Sequence, residues 1–272
     1  MNWRWGLHII LGLILTINFS CKKEEYSVIP IIYGHAGAAL SEERAVFPPN
    51  SEQSILYAFN ALAADGVEVD VQMTKDSVLV LFHDEFIEWD NTESHTCIAE
   101  LSWSEIENFN SDEKYPIIRL SRLVAIMRGN SKKVILDLKH YNHCSEGFEN
   151  VETFNWALNN ELAELESDEK SYFTANCRNI ELLNAVECGA MQKSFETENI
   201  PLAIDYAAIY ALDLIVINRV GFTLEEAELL ENAEIDYCIF GVKTKKEIKA
   251  TANFRPKIII SDNIAGTKAY YN

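Results

Sequence analysis

The chain is poor in positive charge. Against 42 Asp and Glu it carries 23 Lys and Arg, a formal charge of −19, and no basic run interrupts the excess. A nucleic-acid backbone is therefore not an expected partner, because its recognition rests on clustered Lys and Arg. Some of the acidity reads as solvated helix face, as in Glu161 to Glu169. No CxxC pair occurs, which argues against a zinc site of that kind. No GxGxxG follows an early strand, which weakens a dinucleotide-binding reading. Linkers, low-complexity stretches and internal repeats are also lacking. What remains is 272 residues with 48% hydrophobic content, enough for one large globular domain or two small ones, with no linker to divide it.

The N-terminus reads as a targeting segment. Arg4 supplies a positive charge, and Leu7 to Ile17 supplies an apolar core too short for an ordinary membrane span. It closes on Asn18-Phe19-Ser20-Cys21 and is followed by Lys22-Lys23-Glu24-Glu25. A small residue before a cysteine, then a charged tether, resembles a bacterial lipoprotein signal. Residues 1–20 are then the signal peptide, Cys21 carries lipid, residues 21–27 form the tether and 28–272 the domain. Acyl chains would hold the protein on a membrane of the bacterial cell envelope while the domain stays in water. The alternatives are a plain secretory signal or an uncleaved anchor. Cys97, Cys144, Cys177, Cys188 and Cys238 remain, an odd number, read as mostly buried thiols with at most one or two bridges.

Beyond the tether, short apolar runs alternate with amphipathic segments. Candidate strands are Val28–Tyr33, Val67–Val71, Val78–Phe82, Val134–Leu138, Tyr172–Thr174, Leu202–Ile204, Leu214–Ile217, Tyr237–Phe240 and Ile258–Ile260. Candidate helices are Glu52–Ala64, Trp103–Phe109, Leu120–Arg128, Val151–Leu165, Ile180–Val186, Leu224–Asn232 and Lys245–Ala252. Such alternation indicates a parallel α/β fold, and a (β/α)8 TIM barrel is the expected architecture. One strand too many is present for it, so one is short or lies outside the barrel.

The sharpest local signal is GVEVDVQMTKDSVLVLFHD, Gly66 to Asp84. Strand side chains alternate faces, so Glu68 and Asp70 project together while Val67, Val69 and Val71 face the other way. Carboxylates among valines are costly unless neutralised, and a metal ion is the usual neutraliser. The bland alternative is a pair of solvated acids on an edge strand. His35 after the first strand, His83-Asp84 after the third and Asp137-Leu138-Lys139 after the fourth make the pattern harder to dismiss. In a parallel barrel the strand ends converge on one face, where such enzymes keep their sites.

With these residues in view, the chain resembles the glycerophosphodiester phosphodiesterase family of metal-dependent barrel enzymes. That family reads His-Arg-Gly, Pro-Glu-Asn-Thr, Glu-x-Asp, Thr-Lys-Asp-Gly, His-Asp and Glu-x-Lys in order. Here stand Gly34-His35-Ala36-Gly37, Pro48-Pro49-Asn50-Ser51, Glu68-Val69-Asp70, Thr74-Lys75-Asp76-Ser77, His83-Asp84 and Asp137-Leu138-Lys139. Weaker echoes are Tyr115 to Leu120 and the late Ile260-Ser261-Asp262-Asn263, so the likeness runs from Ile29 to about Asp262. There are departures. Ala36 stands where the family has arginine, Pro49 where it has glutamate and Asp137 where it has glutamate. Phe240-Gly241-Val242 replaces a tryptophan-containing strand. The sphingomyelinase D barrels resemble this chain in using aspartate at the third acid.

The resemblance implies that Glu68, Asp70 and Asp137 hold one divalent cation, Ca²⁺ or Mg²⁺, through oxygen ligands. It implies His35 and His83 as the acid-base pair on opposite sides of phosphorus, a task suited to an imidazole. Lys139 and Arg44 are candidates to replace the missing cation near the phosphate, and Asn50 to orient His35 or a substrate oxygen. Asp84 reads as a supporting residue. The expected function is hydrolysis of glycerophosphodiesters to glycerol 3-phosphate and an alcohol, or of related lipid headgroup diesters. Ala36 and Pro49 keep two alternatives open: a weak or inert binding lipoprotein on the same barrel, and a sphingomyelinase D or phospholipase-like enzyme. Against the latter, the loop from His83 to Val134 has no long apolar stretch to enter a bilayer, and Trp89 and Trp103 read as packing residues. Oligomeric state is not legible.

Overall fold

The computed structural model describes residues 29–88, 95–109, 116–142, 147–148, 150–187 and 189–272. The signal 1–20, Cys21, the tether 21–27, Trp89, Cys144 and Cys188 lie outside the described residues. Ten strands form the main sheet, and removing the antiparallel Leu79–Leu81 and Ile118–Arg119 leaves eight parallel ones. In chain order these barrel strands are β1 Ile31–Gly34, β2 Gly66–Met73, β3 Lys133–Leu138, β4 Phe173–Cys177, β5 Gln192–Glu196, β6 Leu214–Asn218, β7 Tyr237–Val242 and β8 Ile258–Ser261. Each pairs with its sequence neighbour in the set, and β1 also pairs with β8, as in Ile32 opposite Ile259, so the sheet closes. The expected TIM barrel is present.

Alternation along each strand divides the core in two. Val67, Val69 and Val71 join the large apolar layer between sheet and helices. Tyr33, Ile135, Leu214, Val216, Cys238, Ile258 and Ile260 form a separate plug inside the barrel. Above that plug, toward the strand C-termini, the inward positions turn polar: Asp70, Asp137, Asn176 and Glu196. A barrel of this size is a filled core rather than a pore, so its floor must be apolar and only its mouth is available for chemistry. Several helices are started by local chemistry. Ser51 caps Glu52–Asn60 by accepting from the Ser54 N–H at 3.1 Å, and Thr223 and Thr244 open capping boxes with Glu226 and Glu247.

Two strand expectations are corrected. Val78–Phe82 is not a parallel barrel strand: Leu79–Leu81 returns antiparallel along β2, with Val71 opposite Leu81. Met73 and Leu79 are too close in sequence for a parallel crossover, which needs a dozen or more residues. The Thr74 hydroxyl donates to Asp76 and accepts from the Val78 N–H, closing the turn in which Ser77 takes φ 63°. Leu202–Ile204 is helical, inside Ile200–Tyr210, which starts at the cap Asn199 with Pro201 in its first turn. The strand missing from the sequence reading is β5. Its inward positions are Ser194 and Glu196, so no apolar run marks it. The expected strand Val28–Tyr33 is observed from Ile31, and Ile264–Tyr271 adds a closing helix. Cys97 is disulfide-bonded, while Cys177 and Cys238 are buried free thiols. Among the described residues no helix is long and apolar enough to cross a membrane. Trp103 packs in a small satellite core, with Arg119 over its ring at 5.3 Å.

Candidate active site

The first histidine is positioned by a turn that tolerates little change. A Cβ on Gly34 would lie 1.8 Å from the Gly37 carbonyl oxygen, and Gly37 itself takes φ +92°. Between them Ala36, at φ 47°, points its N–H at Glu68 Oε2, 2.9 Å away. His35 leaves this turn toward the barrel axis. Its Nδ1 donates to Asp262 Oδ1 at 2.8 Å, and its Nε2 lies 3.9 Å from Glu68 Oε2. Asp262 is buried and follows β8, so this bond joins residues 227 apart in sequence across the barrel closure.

The three acids meet as expected. Asp70 on β2 is in register with Asp137 on β3, and Glu68 sits one inward position below Asp70. One oxygen from each of Glu68, Asp70 and Asp137 lies within 4.8 Å of the others. Neighbouring amides fix the remaining oxygens. Asn50 Nδ2 donates to Asp70 Oδ2 at 2.8 Å while its Oδ1 accepts from the Asp70 N–H at 3.0 Å. Asn176 Nδ2 donates to Asp137 Oδ1 at 3.0 Å. Asn50 is thus buried against Asp70 through its side chain, while its backbone N–H donates to the Ala36 carbonyl beside His35 at 2.8 Å. It reaches this position from a left-handed backbone, φ 60°, which asparagine tolerates better than most residues.

Such a cluster is electrostatically unsatisfied by itself. Burial, together with the charges of Asp70 and Asp137, raises the Glu68 carboxyl well above the ordinary carboxylate range. Burial also acts on Asp70, but Lys139, His83 and the Asn50 amide outweigh it and hold that carboxyl low. Lys139 Nζ lies 2.8 Å from Asp70 Oδ1 and also bonds Asp137 Oδ2. Burial opposes the ammonium, and the two carboxylates more than restore it, so its pKa is raised. The ammonium therefore stands where positive charge is demanded, on the oxygens the amides leave open. An all-oxygen donor set of three buried carboxylates fits a hard divalent cation.

The second histidine reaches the mouth because β2 overruns β3. Asp70 and Val71 pair with the last residues of β3, and β2 continues to Met73 before turning back. The return strand brings Phe82 opposite Asp70, its N–H donating to the Asp70 carbonyl at 3.1 Å, and His83 follows. Gln72 Nε2 brackets the histidine by donating to the carbonyls of Phe82 and Asp84 at 2.7 and 2.8 Å. His83 Nδ1 donates to Asp84 Oδ1 at 2.9 Å, and this bond is the main reason its pKa is raised. His35, Glu68, Asp70, His83, Asp137 and Lys139 all line one cleft of about 910 Å³ at the strand C-termini. Arg44 does not: it is exposed in a turn after β1, its N–H donating to the Ser41 carbonyl at 2.8 Å.

Sequence reading missed Asp262, Asn176, Glu196, Arg178 and Gln72. Asp262 falls only in a weak motif echo, and the others carry no local pattern that separates them from structural polar residues. Asn176 Nδ2 also donates to Glu196 Oε2 at 3.3 Å, and its Oδ1 accepts from Ser194 Oγ at 2.9 Å. Burial and the charge of Asp137 raise the Glu196 carboxyl.

A TIM barrel with two imidazoles flanking three convergent carboxylates at the strand C-termini defines the class of metal-dependent barrel hydrolases. A sequence model of the glycerophosphoryl diester phosphodiesterase family matches residues 44–200, over half of the chain, and the protein belongs to that family. No curated protein matches. The fold is similar to that of a Galdieria sulphuraria protein assigned as a glycerophosphodiester phosphodiesterase, with TM-score 0.76, 16% identity, and coverage of 90% of this chain and 98% of that one. It is similar to a glycerophosphodiester phosphodiesterase from Parabacteroides distasonis, with TM-score 0.72, 15% identity and coverage of 90% and 97%. A third similar structure is an Oleispira antarctica phosphodiesterase in complex with the product sn-glycerol-3-phosphate, with TM-score 0.70, 15% identity and coverage of 89% and 96%.

Proposed function

We propose that the protein hydrolyses glycerophosphodiesters to glycerol 3-phosphate and an alcohol, with Glu68, Asp70 and Asp137 as ligands of one Ca²⁺ or Mg²⁺. The observation that carries this reading is the convergence of the acidic trio with His35 and His83 on one cleft. When bound, the cation polarises a phosphoryl oxygen and offsets charge that develops there. His35 acts as the base. Asp262 accepts from Nδ1–H, so the Nε2 lone pair faces the cleft, ready for a proton of the attacking water. His83 acts as the acid, because its Asp84 partner favours the protonated ring, and it gives that proton to the departing alcohol oxygen. Asn50 and Asn176 keep the acids in position, and Lys139 moves from the acids toward the phosphoryl oxygens.

The localisation rests on the sequence of residues 1–25. The chain is exported, acylated at Cys21 and held on a membrane of the bacterial cell envelope, its substrate a soluble diester or lipid headgroup. Cys21→Ser should move it from the detergent to the aqueous phase on partitioning. The catalytic reading is tested by incubating purified protein with glycerophosphocholine and Mg²⁺, Ca²⁺ or Mn²⁺. Metal-dependent release of glycerol 3-phosphate is expected, and no turnover across a panel of phosphodiesters would overturn it.

A further inference from the structure

A phosphodiester brings a negative charge into a cleft already lined by Glu68, Asp70, Asp137 and Glu196. The turn after β1 offers no Lys or Arg there, since Ala36 carries no charge and Arg44 does not line the cleft. The Lys139 ammonium bonds Asp70 and Asp137, and once released toward the phosphoryl oxygens it is a single cation among four carboxylates. Among the described residues lining the cleft, one guanidinium remains, that of Arg178. It follows directly on β4, beside the buried Asn176 that braces Asp137.

Arg178 is built into place. Its side chain is 58% exposed, yet Nε donates to Glu196 Oε1 at 2.8 Å and Nη2 bonds the same oxygen. The other oxygen of Glu196 accepts from Asn176, which also donates to Asp137. The guanidinium is therefore linked to a candidate metal ligand through two nearly buried side chains. Burying a glutamate to orient an exposed arginine is costly, and an exposed ion pair returns little stability. Only one carboxylate oxygen is used, so Nη1 and the second Nη2 hydrogen have no acceptor among the described residues. A planar fork held by one edge and open at the other suits recognition of an anionic oxygen.

We infer that Arg178 is a substrate-binding residue whose open guanidinium edge takes an anionic oxygen of the phosphodiester. The inference rests on the phosphodiesterase reading above. The oxygen belongs either to the scissile phosphoryl group or to an acidic substituent on the departing alcohol, and the same chemistry serves both. Glu196 and Asn176 are positioning residues for it.

The test is calorimetric titration of glycerol 3-phosphate into the divalent-loaded full chain, for wild type, Arg178→Met and Arg178→Lys. Loss of a contact to the phosphoryl group should weaken binding about 10-fold or more in Arg178→Met, with Arg178→Lys intermediate. Loss of a contact to the departing alcohol should instead leave product affinity unchanged and raise the KM for the acidic diester. Titration with the cation alone should give unchanged affinity in both, separating substrate contact from damage to the acids. In steady state KM should rise with little change in kcat. An equal rise for glycerophosphocholine and glycerophosphoserine assigns the oxygen to the phosphoryl group, and a rise for glycerophosphoserine alone assigns it to the departing carboxylate. Unchanged KM and product affinity in both variants, with wild-type turnover intact, would overturn the role of Arg178 alone. A wild type that neither hydrolyses diesters nor binds glycerol 3-phosphate would sink the phosphodiesterase reading as well. The lysine variant keeps the charge, so the test stands even if Arg178→Met does not fold.

Discussion

Asp262 offers the most discriminating test of how His35 is held. Its Oδ1 accepts two hydrogen bonds, from His35 Nδ1 at 2.8 Å and from the Leu40 N–H at 3.0 Å. Its Oδ2 has no hydrogen-bond partner and faces Lys243 Nζ at 3.6 Å. Burial by itself would raise this carboxyl, but His35, the Leu40 N–H and Lys243 outweigh it and hold it below the usual range. An asparagine here cannot flip freely, because the Leu40 N–H requires an oxygen in the Oδ1 position. Asp262→Asn therefore keeps the acceptor for His35 and the proton on Nδ1, and loses only the charge. Replacing a charge-assisted bond with a neutral one costs about 1 kcal/mol, close to a five-fold fall in kcat. Asp262→Ala removes the acceptor and frees the ring, at about 1.5–3 kcal/mol or roughly 10- to 150-fold. The assay is glycerol 3-phosphate release under saturating substrate, with thermal melts to confirm folding. If asparagine proved as damaging as alanine, the bond would not be fixing the tautomer of His35, and its assignment as the base would fall.

Other consequences are equally direct. His35→Ala and His83→Ala should each lose about 10²-fold or more in rate, and activity persisting in either removes it from the acid-base pair. Ca²⁺ or Mg²⁺ should raise the melting temperature by mass action on the native state, an effect lost in Glu68→Gln; no thermal shift with any divalent cation would sink the metal site. Lys139→Met should bind the cation more tightly while turning over more slowly, because the ammonium occupies the same carboxylate oxygens; weaker binding in calorimetry would refute that competition. His83 carries a raised pKa through Asp84, so as the acid it stays protonated to higher pH than a free imidazole. Asp84→Asn should then move the alkaline limb of the kcat/KM profile to lower pH, and an unmoved limb would exclude His83 as the acid.

The legible part of the site had a physical marker in one dimension. Glu68 and Asp70 stood out because carboxylates alternating with valines cannot be a comfortable strand unless something answers their charge. His35, His83 and Asp137 were legible because each sits beside a recognisable strand. The fold class was legible for the same reason, since periodicity is local. What failed was also instructive. The strand β5 carries no apolar run on its inward face, where Ser194 braces Asn176 and Glu196 lines the cleft. Leu79–Leu81 was recognised as a strand but given the wrong direction, because apolar composition does not encode direction. The motif marks Asn50 as a site residue, but its bonds to Asp70 become visible only in the tertiary structure.

The sequence by itself determined the parallel α/β architecture, the acidic pair, the two histidines and the third acid with its lysine. Tertiary structure decided what each of them leans on. Asp262 meets His35 only when the last strand closes on the first, and Glu196 meets Arg178 only across neighbouring strand ends. Barrel closure makes neighbours of residues far apart in the chain. No local periodicity can report that, because the hydrogen bonds that define the site run around the barrel and the pattern in the sequence runs along its strands.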